Sequence, residues 1–549
     1  MERRIGLLFT TFLALLALGA TKAAWLGVVK AGTLERAAVT QQEADVQVPA
    51  RRGSIVDANG IELAVSEPAM DVAATPYLIE DATKAARRLS PILGRPEDEL
   101  LRDMARRDTG FVYLARRVPA AQADKAEQLK IPGLQFIPEY RRTYPRDWMA
   151  SQLLGNVGTD GKGLAGLEYL FNQDLRGADG ERKLVKDALG NPIEMRDTTP
   201  VRSGSTLKLT LDANLQDEAE QVLGQVGETW HPKGATAIVM DPNTGAILAL
   251  ANWPRVNAND LAGAPSYASE DRAIGVTYEP GSTFKAFTVA AALQDGKVTP
   301  DTTFDIPPVL QFSDRQIHDA ENHGYEQDTV AQILKVSSNI GAVLIGRRIG
   351  ARSFSRWIQR FGFGRPTGVD LPGEEGGIVL PLSRYSGSTM GNLPMGQGIA
   401  VTPMQMAAAY AAIANGGILR SPHIVAAVGG RKRPEPKGKR IISQATAASI
   451  RSMLEGVLGP GGTASGAAIP GYDLAGKTGT AQKAIPGGYS ADKYVASFVG
   501  FAPAAHPKLL CAVVVDEPNG EIYGGQVAAP AWRDIVNFAL GYLKIGPKS

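Results

Sequence analysis

The chain has 549 residues, of which 44% are apolar and 21% charged, with a net charge of +2. That length implies two or three domains, the composition is that of a globular protein, and the near-balanced charge excludes a basic surface built for nucleic acid. A single cysteine rules out an internal disulfide and a cysteine-based zinc site; five scattered histidines lack metal-ligand spacing, so neither a metal nor a cofactor is expected.

Arg3 and Arg4 precede an apolar run from Ile5 to about Ala20, and "KAAWLGVV" extends it to Val29, long enough for a tilted membrane span. Lys22 falls inside the run, where its long stem can snorkel to the headgroups. The two arginines would stay in the cytoplasm, so everything after the span lies outside. A cleaved signal peptide is the rival reading. Gly19 and Ala20 make a poor cleavage site, which favours an uncleaved anchor. Both readings export the rest of the chain.

The stretch from Lys30 to Ser66 moves from a helical to a strand pattern, and Asn59-Gly60 between apolar flanks signals a hairpin. "EDATKAARRLSPILG" and "PEDELLRDMARR" read as helices, and "DGKGLAGLEYLFNQDLRG" as a glycine-dense loop with a short helix. "STLKLTLDANLQDEAEQVLGQV" reads as a strand, Asp212 near a helix start, and a helix to about Val226. Next, two apolar runs flank Asp241-Pro242-Asn243-Thr244-Gly245, a strong hairpin signal. The middle of the chain is mostly helical. Near the end come three strands, "LAGKTGTAQK", "YVASFVGFAP" and "KLLCAVVVDEP", and then a terminal helix, "AAPAWRDIVNFALGYL". Cys511 in the last strand is expected to be a small core residue rather than a nucleophile. Two strands at one end of this region and three at the other can complete one antiparallel sheet covered by helices.

Three short stretches carry chemistry. In "YEPGSTFKAFTVAAAL" Ser282 and Lys285 stand three apart at the start of a helix that is apolar all round, so they share one face. A serine hydroxyl needs a base, and burial pushes a lysine amine toward the neutral form that can be one. Alone the pair is weak evidence; it arises by chance about once in a chain of this length, and a capping serine with a snorkelling lysine is the bland alternative. "AQILKVSSNIGAVLIG" adds Ser337 and Asn339 within an apolar helical pattern, as a site or as a capped helix break. "AGKTGTAQK" adds Lys477, Thr478, Gly479 and Thr480 on a strand. A glycine there suggests close approach of a ligand backbone, and the strand edge can pair with an extended peptide whose carboxylate Lys477 and Thr480 hold.

Ser-x-x-Lys, Ser-x-Asn and Lys-Thr-Gly in this order form the set of the penicillin-binding proteins and serine β-lactamases. The chain resembles a class B penicillin-binding protein, a monofunctional peptidoglycan D,D-transpeptidase, over nearly its whole length. "ARRGSIVDANGIELA", "YRRTYPRDWMASQLLGNVG" and "GLAGLEYLFNQDLRG" resemble the family's pedestal; "LPMGQGIAVTPMQMAAAYAAIANGG", "YVASFVGFAPA" and "YGGQVAAPAWRDI" resemble its catalytic domain. The resemblance implies a multidomain protein: residues 1–30 a cytoplasmic tail and transmembrane anchor, 31–225 an elongated α/β pedestal or dimerisation-like domain, and 226–549 an α+β transpeptidase domain with a five-stranded antiparallel sheet flanked by helices.

It further implies that Ser282 attacks the carbonyl between two terminal D-alanines of a stem peptide, Lys285 takes its proton, and the backbone N–H groups of Ser282 and Thr480 hold the oxyanion. Ser337 and Lys477 would help protonate the leaving D-Ala, and Asn339 would orient the donor's amide, with Thr478, Gly479 and Thr480 binding substrate. An amine of a neighbouring stem peptide would complete the cross-link, and β-lactams would acylate Ser282. The implied setting is the bacterial cytoplasmic membrane, catalytic domain outside, beside a polytopic glycosyltransferase of the shape, elongation, division and sporulation group.

"EYRRTYPRDWMASQLLG" and "GQGIAVTPMQMA" lean toward the division and sporulation branch, with elongation the alternative. A β-lactamase fits poorly with some 200 residues ahead of the catalytic region. A non-catalytic β-lactam sensor is expected to need more sequence before the span, and no stretch before residue 200 resembles a glycosyltransferase. Arg51, Arg52, Arg141 and Arg142 are expected to be solvated or paired within the pedestal.

Overall fold

The computed structural model describes residues 2–30, 32, 43–186, 192–261, 264–486 and 488–547. The helical pattern expected just after residue 30 therefore lies, Gly32 apart, outside the described residues. The N-terminal apolar run is a helix, Glu2–Ala24, continuing as a π-helical turn over Trp25–Val29. Its span Arg3–Val29 is long and apolar enough to cross a membrane, and its apolar side chains are not packed inside a core.

Two compact units emerge, and neither is one continuous stretch. The first holds residues 1–52, 67–141 and 176–204. Helices Ala82–Leu93 and Glu97–Met104 form where they were read, with Asp81 capping the first through a 2.9 Å bond from the Lys84 N–H and Gly94 ending it at a positive φ of 67°. Leu89, Leu100 and Met104 turn inward onto Val72, Leu114 and Val118, which close a small core. A separate antiparallel sheet joins Glu43–Val48, Gly180–Lys186 and Pro192–Thr199.

The second unit holds residues 53–66, 142–175 and 205–549. Residues 53–66 enter it because the hairpin at Asn59-Gly60 pairs Ile55 with Ala64, while Ile55 also pairs, in parallel, with Leu207. Asp57 shapes that turn by accepting from the Asn59 and Ile61 N–H groups, both at 2.8 Å. Arg142 is paired inside this unit, 2.6 Å from the fully buried Glu168 carboxylate.

The sheet of this unit has five antiparallel strands: β1 Gly234–Met240, β2 Ile247–Trp253, β3 Ala475–Ile485, β4 Gly488–Ala502 and β5 Leu509–Asp516. Their spatial order is β2-β1-β5-β4-β3. Strand β5 is buried along its whole length, as a central strand covered on both faces must be. Cys511 sits there as a core residue, and the indole N–H of Trp532 donates to its carbonyl at 3.0 Å. Helices Ala213–Trp230 and Gly524–Tyr542 pack on each other and on the sheet; Pro403–Ala414 and Gln444–Leu458 pack on each other and also meet it.

Helix Ala213–Trp230 runs four residues past the end read from the sequence. Gly227 lies within it, and a Cβ there would lie 2.2 Å from the Trp253 indole. The glycine makes room for a neighbour and does not end the helix. We expect Gly227→Val to destabilise the protein by about 1–3 kcal/mol through overpacking, read as a lower denaturant midpoint with an unchanged slope.

Candidate active site

The segment from Gly281 to Phe284 is one 3₁₀ turn, and the α-helix proper begins at Lys285. Side chains three apart eclipse in a 3₁₀ turn, so Ser282 and Lys285 are stacked by backbone geometry alone. Lys285 through Ala292 are all buried. Phe287 meets Phe284, Phe363 and Tyr410 at ring-centroid distances of 5.4, 5.2 and 5.1 Å, each buried ring stabilising the packing by roughly 2 kcal/mol. Tyr410 donates its hydroxyl to the Thr283 carbonyl at 2.6 Å. These contacts explain the apolar perimeter: the helix is enclosed by protein.

The Lys285 amine is 1% exposed. It donates to the Ser337 carbonyl and, at 2.7 Å, to Asn339 Oδ1, and Ser337 Oγ lies 3.2 Å away. Burial pushes its pKa down to about 7, partly opposed by the Asp319 carboxylate. A neutral amine has two N–H groups and one lone pair, so with both donors engaged the lone pair remains to receive a hydroxyl proton.

Ser337 and Asn339 do not share one continuous helix. Helix Val330–Val336 ends at Ser337, whose φ is +66°, and a new helix starts at Asn339 with Ser338 as its cap. The break is capped, as the bland reading had it, and it also turns Ser337 and Asn339 toward Lys285. Asn339 Nδ2 donates one hydrogen to the His318 carbonyl at 2.9 Å, leaving the other unused by that bond.

Strand β3 is the sheet edge. Lys477 is fully buried on it, and its amine donates to the Thr478 carbonyl and hydroxyl at 3.3 and 3.2 Å. Desolvation first, and the charge of Lys285 second, push its pKa well down. Thr478 is buried and bonded to the Thr463 hydroxyl at 2.8 Å, whereas Thr480 stays partly exposed and accepts from the Gly524 N–H at 3.0 Å. Gly479 is needed for close approach, but of the protein's own chain: a Cβ there would lie 3.0 Å from the Pro280 carbonyl and 2.4 Å from Ser497 Oγ. A Cβ on Gly281, whose φ is +52°, would reach 2.9 Å from the Thr480 carbonyl. The turn that carries Ser282 is thus seated directly against β3.

Residues 235–537 match the penicillin-binding protein transpeptidase domain, and residues 47–209 the penicillin-binding protein dimerisation domain. The peptidoglycan D,D-transpeptidase FtsI of Escherichia coli is 33% identical over 99% of this chain and 92% of its own length. The chain belongs to the class B penicillin-binding proteins. Stage V sporulation protein D of Bacillus subtilis is 34% identical over 90% of the chain and 79% of its own length. Among solved structures, penicillin-binding protein 3 of Mycobacterium tuberculosis in complex with aztreonam superposes with a TM-score of 0.73 at 29% identity, covering 92% of this chain and 98% of that one. The α+β sheet, the dimerisation domain and the N-terminal apolar helix agree with the fold expected from sequence.

One residue of this penicillin-binding protein escaped the sequence reading. Asp319 accepts from the Asn339 N–H, from the Ile340 N–H at 3.1 Å and from Ser338 Oγ at 2.8 Å, with His323 Nε2 at 3.2 Å. It lies about twenty residues before the motif it braces, in a loop, so no periodicity marks it. We expect Asp319→Asn to slow acylation about tenfold, the effect of losing about 1.4 kcal/mol of positioning. Because the Asp319 charge raises the Lys285 pKa, its removal should also move the midpoint of the pH–acylation profile below about 7.

Proposed function

We propose that this chain cross-links peptidoglycan at the division septum as a serine D,D-transpeptidase anchored in the cytoplasmic membrane. The observation that carries the reading is the enclosed Lys285, three residues after Ser282 across one 3₁₀ turn, with its amine bonded to Ser337 and Asn339.

Ser282 is the nucleophile. Its proton passes to the Lys285 lone pair as the bond to the penultimate D-Ala carbonyl forms. The oxyanion accepts from the backbone N–H groups of Ser282 and Thr480, a reading supported by the seating of Gly281 against the Thr480 carbonyl; donors of this kind are worth about 3 kcal/mol each. D-Ala leaves with a proton relayed through Ser337, with Lys477 as the second buried amine of the relay. The spare hydrogen on Asn339 Nδ2 binds a donor carbonyl. The edge of β3 takes the extended donor as an added strand, its carboxylate meeting Thr480. An amine from a second stem peptide then releases Ser282. β-Lactams acylate Ser282 in the same site, a reading supported by the complexes of the M. tuberculosis relative with aztreonam and with ampicillin.

The septal assignment is supported by the division and sporulation proteins among the relatives. The orientation with residues after Val29 outside, and the pairing with a polytopic glycosyltransferase of the shape, elongation, division and sporulation group, follow from the flanking arginines and from the family. Of the two roles read from the sequence, the pedestal belongs to the first unit and catalysis to the second, which also takes in helix Ala213–Trp230 across the 225/226 boundary.

A fluorescent penicillin should label the wild type once per chain and leave Ser282→Ala unlabelled; rapid release of hydrolysed drug would instead mark a β-lactamase. Lys285→Ala should slow labelling by about 10²-fold or more. The wild-type labelling rate should rise about tenfold per pH unit below about 7 and level off above it, because only the neutral Lys285 amine accepts the proton.

A further inference from the structure

A cavity of about 450 Å³ opens beside the nucleophile's turn, between one face of the sheet and the segments 276–279 and 398–403. Its walls include Val495, Val514 and Ile399, and its mouth includes the exposed Ile378 and Ala484. The cations that line it, Arg272 and Lys483, are both paired with Asp516, at 2.6 and 2.8 Å.

Glu279, three residues before Ser282, also lines the cavity. Its Oε1 accepts from the Gly398 N–H at 3.0 Å and from the Tyr489 hydroxyl at 3.2 Å. Its Oε2 is buried and has no hydrogen-bond partner among the described residues. A buried carboxylate oxygen with nothing to accept is costly. A mostly apolar cavity with such an oxygen in its wall complements a chain of methylenes that ends in an ammonium group.

We propose that this cavity receives the acceptor strand's primary amine and that Glu279 is its anchor, an inference that rests on the transpeptidase reading. The amine arrives protonated at neutral pH and must lose a proton to attack. Glu279 Oε2 takes that proton, and burial, which pushes its carboxyl pKa up, favours the transfer. The neutral amine then forms the C–N bond to the acyl carbon, the C–Oγ bond to Ser282 breaks, and the second amine proton reaches Oγ through Lys285. Glu279 returns its proton to solvent. The products are an amide, free Ser282 and one proton.

The test uses the full-length protein in detergent, a thioester donor without a free amine, and a lysine-bearing tripeptide as acceptor. Mass spectrometry reads the ratio of aminolysis to hydrolysis product. Glu279→Gln keeps an acceptor for Gly398 and Tyr489, and should lower the ratio at least tenfold and raise the acceptor KM. Ala484→Trp, which obstructs the mouth, should lower the ratio likewise. Stoichiometric penicillin labelling reports that each variant is folded. An unchanged ratio in labelled variants would overturn the proposal. So would slower acylation by the donor at an unchanged ratio of aminolysis to hydrolysis, which would give the cavity to the donor. A wild type that forms no acyl-enzyme at all would fail the underlying reading instead, and this one with it.

Discussion

The site depends on one buried amine. Lys285 is enclosed, short of solvent, and fixed by the Ser337 carbonyl and Asn339 Oδ1. A charged ammonium is costly there, so the enclosure draws the lysine toward its neutral form. Much of the surrounding structure maintains that enclosure. The aromatic packing around Phe287 shuts out water from one side, and the tie from Tyr410 to Thr283 fixes the turn that presents Ser282. The left-handed backbone at Ser337 delivers a carbonyl to the amine from the other side.

Asp319 holds two opposing roles in balance. It gathers the N–H groups at the start of helix Asn339–Ile349 and so fixes Asn339 in register with Lys285. Its negative charge also draws the Lys285 pKa upward against the larger effect of burial. One carboxylate therefore influences both where the Lys285 amine sits and how readily it gives up a proton.

The strand β3 supplies a contrast between a closed interior and an open border. Lys477 and Gly479 point into the protein, against the nucleophile's turn, so their side-chain positions are decided by packing. The outer rim of the strand is unpaired in the sheet. Edge strands are usually protected against pairing; here an open edge lies beside Ser282, which suits a ligand that binds as a strand.

The sequence by itself determined the elements and the chemistry. Local patterns suffice for the hairpins at Asn59-Gly60 and Asp241–Gly245, for the strands β3, β4 and β5, and for the three short motifs, because alternation, turn residues and motif spacing are properties of neighbours along the chain. It could not place Asp319, whose partners lie some twenty residues away and whose loop carries no period. It could not show what crowds Gly227 and Gly479, because Trp253 in one case and Pro280 with Ser497 in the other are remote in sequence. It also could not foresee that residues 53–66 and 142–175 pack with the catalytic unit. Strand pairing, burial of an amine and the absence of space at a Cβ are set by contacts between distant segments, and only the tertiary structure decides those.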